Sequence, residues 1–158
     1  DLYDCGVYAP NIDFMAWNFR RRSLPKLEKH LYEVPNAESL LTFIHRDVLT
    51  ELVLDPEKYR IGWGIDFVVS FLADQQGKKV IRDYITTVTH PRGKGYSNAA
   101  AAAEMEQFIN DRDPATAAKL WDWIAAARKL RVRRRRQRFR KYWRSALAPV
   151  RGLFGQHD

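Results

Sequence analysis

The residues best placed for chemistry in this chain lie between Gly62 and Asp66. Gly62 and Gly64 flank Trp63, and two glycines permit a tight turn that leaves the indole edge exposed. Asp66 follows at the predicted start of a helix, where the helix dipole stabilises an ionised carboxylate. Asp66 is therefore placed to accept a proton or a hydrogen bond. The alternative is that Asp66 caps the helix and Trp63 is a core aromatic residue.

A second group of polar residues begins at His90, at the end of a predicted strand. An imidazole is a common ligand of divalent metal ions. The glycine-containing loop that follows carries Arg92, Lys94 and Tyr96, and its two cationic side chains suit phosphate oxygens. The alternative is that His90 simply ends the strand.

These features resemble, in their order, the C-terminal half of GT-A fold glycosyltransferases, particularly the bacterial family 2 type. The order is Gly-Trp-Gly-x-Asp, a helix, a glycine, a strand that begins Lys-x-Val, and His, within residues 5–98. The resemblance implies a metal-dependent hexosyltransferase of polysaccharide biosynthesis, with a nucleotide-sugar donor and a saccharide acceptor. It implies that Asp66 is the catalytic base on the acceptor hydroxyl and that His90 ligates Mn²⁺ or Mg²⁺. The predicted substrate-binding residues are Trp63, Gly64, Arg46, Arg92, Lys94 and Tyr96.

Further residues fit an acceptor site. Trp17 and the segment 33–36 combine aromatic and polar side chains that suit a sugar, and His45 beside Arg46 is a second candidate to face the site. Each of these residues is equally compatible with a structural role.

The sequence departs from the family pattern at three places, of which one is that the upstream sheet that binds the nucleotide in the family is missing from this chain. Ile65 stands where the family often has a second acidic residue before the base. The Asp-x-Asp motif that holds the metal lies upstream of the base in the family, whereas here the sole match is Asp111-Arg112-Asp113, downstream of His90. Together with the absence of an initiator Met, this predicts that the sequence is the acceptor-side half of a longer enzyme.

The elements that must position these residues are of mixed α and β type. We predict the C-terminal part of a GT-A fold, followed by two helices. The predicted elements are a short strand and an irregular segment over 2–19, a buried strand over 40–44, a short helix from Asp47, a helix over 66–76 ended by Gly77, strand segments at 79–81 and 85–89, and helices over 99–110 and from Asp113.

The charge is distributed unevenly. The chain has 27 Lys and Arg against 19 Asp and Glu, a net charge of +8, yet residues 128–158 alone carry 12 basic residues and one acidic residue, a net +11. Residues 1–127 are therefore slightly acidic, with a net charge of −3. We predict an acceptor-binding and catalytic half over 1–98, a helical extension over 99–127 and an Arg-rich amphipathic tail over 128–158.

The tail pairs its arginines with aromatic residues at helical spacing. This composition favours peripheral contact with an anionic membrane surface through residues 128–151. Binding to nucleic acid is less favoured, and a solvated tail stays open. The alternative function for the whole chain is a non-catalytic α+β binding module that docks through this tail.

Cysteine content and hydropathy exclude further classes of protein. Cys5 is the one cysteine, which excludes an internal disulfide framework and a multi-cysteine zinc site and favours a reducing compartment. No apolar run approaches the ~20 residues that a membrane-spanning helix needs. The expected location is the cytoplasm, with attachment at the inner face of the membrane.

Overall fold

The structure is a computed structural model that describes residues 4–13, 19, 21–38, 40–89 and 95–129. Its strands are β1 (Cys5–Ile12), β2 (Leu31–Glu33), β3 (Phe43–Ile44) and β4 (Lys79–Val88). Its α-helices are α1 (Arg46–Thr50), α2 (Ile65–Gln75), α3 (Asn98–Asn110) and α4, helical over residues 114–129, and a 3₁₀ turn covers Arg21–Ser23. The described part of the chain thus has a mixed α+β fold, as the sequence predicts.

The strands form one mixed sheet in the order β2-β4-β1-β3. The two central strands, β1 and β4, run parallel, and each edge strand runs antiparallel to its neighbour. The chain passes from β1 to its parallel neighbour by way of α2, as parallel strands require a crossover connection. Helix α2 packs against both central strands and so occupies the middle of the fold.

Helix α2 is buried over seven consecutive residues, from Phe67 to Ala73. A helix with apolar residues on nearly all sides must be covered on more than one face. The sheet covers one side, and α3 and α4 contribute side chains to the same core cluster. Phe71 meets Trp123 of α4 edge to face, with ring centroids 6.2 Å apart.

The predicted helical extension, 99–127, belongs to the same core as the sheet. Met105 and Phe108 of α3 and Leu120 and Ile124 of α4 cluster with Val7 of β1. The predicted division at residue 98 therefore does not divide the hydrophobic core.

Helix α2 approaches β1 closely at Gly6. A Cβ atom on residue 6 would lie 2.7 Å from the Cβ atom of Ala73 and 2.8 Å from that of Lys78. These separations are shorter than carbon atoms tolerate, so the distance between helix and strand depends on glycine at this position.

The predicted helices are confirmed. Helix α2 ends where Gly77 takes a left-handed conformation, with φ of 69°. The Ser97 hydroxyl accepts a hydrogen bond from the Ala100 N–H at the start of α3, and the Asp113 carboxylate accepts one from the Thr116 N–H at the start of α4. Helix α1 begins at Arg46, one residue before the predicted start.

Two strand predictions are wrong. The segments 79–81 and 85–89 are parts of one strand, because the intervening Asp83 also pairs, with Pro10 of β1 and Leu31 of β2, and its buried carboxylate accepts a 2.8 Å hydrogen bond from the Tyr8 hydroxyl. The apolar run 40–44 is not a buried strand. Only Phe43 and Ile44 pair with β1, and the Phe43 side chain is 63% exposed, because in a two-residue edge strand only Ile44 faces the core.

No helix among the described residues is both long enough and apolar enough to cross a membrane.

Candidate active site

Asp66 lies at the N-terminal end of α2, on the helix itself and not at its cap. Gly64 is the N-cap, with φ of 98°, and Asp66 is the second residue of the helix. The side chain is half-buried. The backbone N–H of Phe67 and the side-chain amide of Asn36 are both close enough to donate hydrogen bonds to the carboxylate, the latter at 3.4 Å between Nδ2 and Oδ2.

The environment of Asp66 makes its carboxylate unusually basic. Its pKa is raised to about 6, chiefly because burial disfavours the charged form. The hydrogen bonds from Asn36 and Phe67 oppose this shift, and repulsion from the Glu38 carboxylate adds to it. Near neutral pH the carboxylate is ionised and yet binds a proton more tightly than an ordinary aspartate does.

A buried polar network extends from Asp66 into the core. Asn36 is fully buried, and its side-chain oxygen accepts a 3.1 Å hydrogen bond from the Ser70 hydroxyl. The backbone carbonyl of Asn36 accepts a 3.2 Å hydrogen bond from the guanidinium of Arg82, which is also fully buried. The aromatic rings of Phe19 and Tyr84 lie 5.6 Å and 6.0 Å from that guanidinium. The network therefore joins the segment before β3 to both α2 and β4.

Helix α3 holds the loop that precedes Asp66. The carboxylate of Glu104, which is itself buried, accepts hydrogen bonds from the backbone N–H groups of Ile61 and Trp63, at 2.9 Å and 3.1 Å. Gly64 also packs on α3, since a Cβ atom there would lie 3.1 Å from Cγ of Met105. The predicted tight turn is thus fixed by a residue 41 positions beyond Trp63 in the chain.

Removing the Glu104 carboxylate tests this support. Glu104→Ala leaves two backbone N–H groups of the loop without their acceptor, so we expect a loss of about 2 kcal/mol in the free energy of unfolding. Glu104→Gln keeps one acceptor oxygen and should lose roughly half as much. Urea unfolding followed by tryptophan fluorescence measures both. Equal stability of wild type and Glu104→Ala would show that the contact does not hold the loop.

Trp63 and Tyr96 form an aromatic pair beside the loop. Their ring centroids are 6.1 Å apart in an edge-to-face arrangement, and both side chains are half-buried. Trp63 packs partly against the core, so it combines a structural contact with an accessible ring surface. The structure thus brings three of the predicted residues, Trp63, Gly64 and Tyr96, into the neighbourhood of the helix end that carries Asp66.

Arg46 and His45 lie near the other end of α2. The ring of His45 accepts a hydrogen bond from the backbone N–H of Asp47 and so caps α1. Gln76, the C-cap of α2, donates a 3.3 Å hydrogen bond to the backbone carbonyl of Asp47. At 1.5 Å per residue, the ten residues from Asp66 to Gln76 separate the two ends by about 15 Å. The structure does not bring Arg46 or His45 together with Asp66.

Several predicted site residues lie outside the described residues: His90, Arg92, Lys94 and Trp17, together with the tail from residue 130. Within the described ranges, no group of three or more His, Cys, Asp or Glu side chains is arranged to hold a metal ion. The predicted ligand His90 lies outside these ranges, so the Mn²⁺ or Mg²⁺ site stays a prediction, and the chemistry below is confined to the base and its neighbours.

Comparison with protein-family models, with curated proteins and with solved structures found no match.

The sequence did not indicate Arg82, Ser70 or Glu38 as parts of the site. Arg82 and Glu38 look like solvated charges in a linear sequence, and Ser70 interrupts an apolar helix without a recognisable motif. The segment 33–36, which the sequence predicts to line an acceptor site, is the one sequence feature that points to this network. Its last residue, Asn36, is the side chain that contacts Asp66.

Proposed function

We propose that this chain is the acceptor-side part of a GT-A type glycosyltransferase, in which Asp66 takes the proton of the acceptor hydroxyl. The observation that carries the proposal is the half-buried carboxylate at the start of α2 with a pKa raised to about 6. General-base catalysis is most effective when the pKa of the base lies near the working pH. An exposed aspartate would be a weaker base by about two pKa units.

The proposed reaction is a single displacement. The acceptor oxygen forms a bond to the anomeric carbon of a nucleotide sugar as the bond from that carbon to the diphosphate breaks, and the hydroxyl proton moves to a carboxylate oxygen of Asp66. Attack on the face opposite the leaving group inverts the anomeric configuration. The half-buried setting of Asp66 limits the access of water, which would otherwise compete with the acceptor.

The aromatic pair supports a saccharide acceptor. Sugar rings present apolar C–H faces that stack on aromatic side chains, and Trp63 lies three residues before the base. The Glu38 carboxylate near Asp66 supplies an acceptor group of the kind that sugar hydroxyls require.

Both aspartates of the sole Asp-x-Asp in the chain make structural contacts. The Asp111 carboxylate contacts the Lys58 ammonium and the Tyr59 hydroxyl, and Asp113 caps α4. Under this proposal the nucleotide-binding Asp-x-Asp therefore comes from outside these 158 residues. His90 stays the proposed metal ligand, and residues 128–151 stay the proposed contact with an anionic membrane surface.

The test is transfer of sugar by the complete gene product, supplied with nucleotide sugars and saccharide acceptors. Trp63→Ala is expected to raise the KM for the acceptor about fivefold, since stacking on an aromatic ring contributes on the order of 1 kcal/mol, and to leave the KM for the donor unchanged. Trp121→Ala is the matched control, because that indole also packs partly against the core and hydrogen-bonds to Asn110 at the C-terminal end of α3.

Two outcomes would contradict the proposal. The first is absence of transfer with every donor class, which would favour the alternative of a non-catalytic binding module. The second is an equal rise in acceptor KM for both tryptophan variants, which would show that the effect of Trp63 is only structural.

A further inference from the structure

Asn36 makes polar contacts through its side-chain nitrogen, its side-chain oxygen and its backbone carbonyl. The side-chain Nδ2 donates to Oδ2 of Asp66 at 3.4 Å, Oδ1 accepts from the Ser70 hydroxyl at 3.1 Å, and the backbone carbonyl accepts from Arg82 at 3.2 Å. No part of this side chain is exposed to solvent. A fully buried amide with these partners is held in one place and one orientation.

Ser70 determines which way the Asn36 amide faces. The Ser70 oxygen accepts the N–H of Ala37 at 3.4 Å, and its own hydrogen is donated to Oδ1 of Asn36. The amide N–H₂ must then face Asp66. The reverse orientation would set the amide oxygen against an ionised carboxylate, which can only accept hydrogen bonds.

The segment that carries Asn36 also carries Glu38, whose negative charge opposes the effect of Asn36 on Asp66. Glu38, two residues further on, repels the charged form of Asp66, whereas the Asn36 amide stabilises it. The guanidinium of Arg82 in β4 donates a hydrogen bond to the backbone carbonyl of Asn36 and is attracted to the Glu38 carboxylate. The two side chains therefore act on Asp66 in opposite directions from one short stretch of chain.

We propose that Asn36 is the positioning residue of the base: its amide, oriented by Ser70, holds the Asp66 carboxylate ionised and directed toward the acceptor, against the repulsion of Glu38. The catalytic part of this inference rests on the proposed function. The part that concerns the ionisation of Asp66 is independent of it.

The experiment is a titration of the Asp66 carboxyl carbon by ¹³C NMR, assigned by its absence in Asp66→Asn. Asn36→Ala is expected to raise the pKa of Asp66 by about one unit, because the charged form loses a hydrogen bond. Ser70→Ala should raise it by a smaller amount, since the amide remains but loses its fixed orientation. Glu38→Gln is the opposing control and should lower the pKa.

The same variants separate positioning from structural support. In the complete gene product, the acid limb of the pH profile of kcat/KM should move with the measured pKa, upward for Asn36→Ala and downward for Glu38→Gln. A merely structural Asn36 would lower the unfolding midpoint and leave the titration of Asp66 in place.

An unchanged pKa of Asp66 in Asn36→Ala, or in Ser70→Ala if the first variant does not fold, would overturn the inference. If the pKa values move as expected and no sugar transfer is found, the proposed function fails and the control of Asp66 by Asn36 stands.

Discussion

Asp66→Asn is expected to lower kcat/KM for sugar transfer by about 10²- to 10⁴-fold, the usual contribution of a general base. The amide that replaces the carboxylate has nearly the same shape and can still accept a hydrogen bond from Asn36, but it cannot take a proton. The measurement is transfer by the complete gene product at saturating donor. Asp74→Asn, at an exposed position near the other end of α2, is the matched control and should retain wild-type transfer.

The same substitution should have the opposite effect on stability. The pKa of Asp66 is higher in the folded state, about 6, than the ~4 of an unfolded chain, so the folded state binds the proton more tightly. The stabilisation that protonated Asp66 gives the folded state is therefore fully present below pH ~4 and is lost as the pH rises through about 6. Above pH 7 the loss is about 2 kcal/mol, after allowance for the partial exposure of the side chain.

Asp66→Asn removes this pH dependence. We expect the variant to be more stable than wild type at pH 8 and nearly equal to it at pH 4, as measured by urea unfolding at both values. A loss of activity together with a gain in the free energy of unfolding would show that Asp66 serves catalysis and destabilises the fold. Transfer within tenfold of wild type would remove the proposed role of Asp66.

Gly6→Ala is expected to destabilise the protein by about 1–3 kcal/mol, the usual effect of adding a methyl group to a closely packed site. The added Cβ atom would meet Cβ of Ala73 at 2.7 Å, so α2 must move away from β1. Because α2 carries Asp66, the shift should also lower sugar transfer. Chemical denaturation measures the first effect.

Two matched variants make the result specific. Gly95→Ala should be close to neutral, since nothing lies within 4 Å of a Cβ atom at that position. Adding Ala73→Gly to Gly6→Ala should recover part of the lost stability by removing the nearest contact, although glycine within a helix itself costs about 1 kcal/mol. If Gly6→Ala is as stable as wild type, α2 does not depend on glycine for its distance from the sheet.

The helices of this fold are predictable from the sequence because their signals are local. In α2, apolar residues recur every three to four positions and Gly77 ends the run, so the prediction agrees with the structure to within one residue at each end. The caps of α3 and α4 are equally local, each formed by a side chain and a backbone N–H three residues apart.

The strands and the site depend on contacts between distant residues. In the sequence, the charged Asp83 divides β4 into two predicted segments. Its hydrogen-bond partner Tyr8 lies in another strand, so no local pattern indicates that Asp83 is buried. The exposure of the run 40–44 follows from its place at the sheet edge, which no local pattern encodes. Asn36 and Asp66 are 30 positions apart, and Arg82 is a further 16 along the chain. Only the sheet and α2 together bring these three side chains to one end of the helix.

The parallel pairing of β1 with β4 affects how the protein is made. Tyr8 and Asp83 are 75 positions apart, so β1 leaves the ribosome long before its central partner exists. During that interval the one other partner of β1 among the described residues is the two-residue strand β3, so apolar residues such as Val7 and Ala9 lack the central pairing of the sheet. Closing so long a loop before the favourable contacts form makes folding slow. We therefore expect the apolar residues of β1 to stay open to aggregation until β4 has been synthesised.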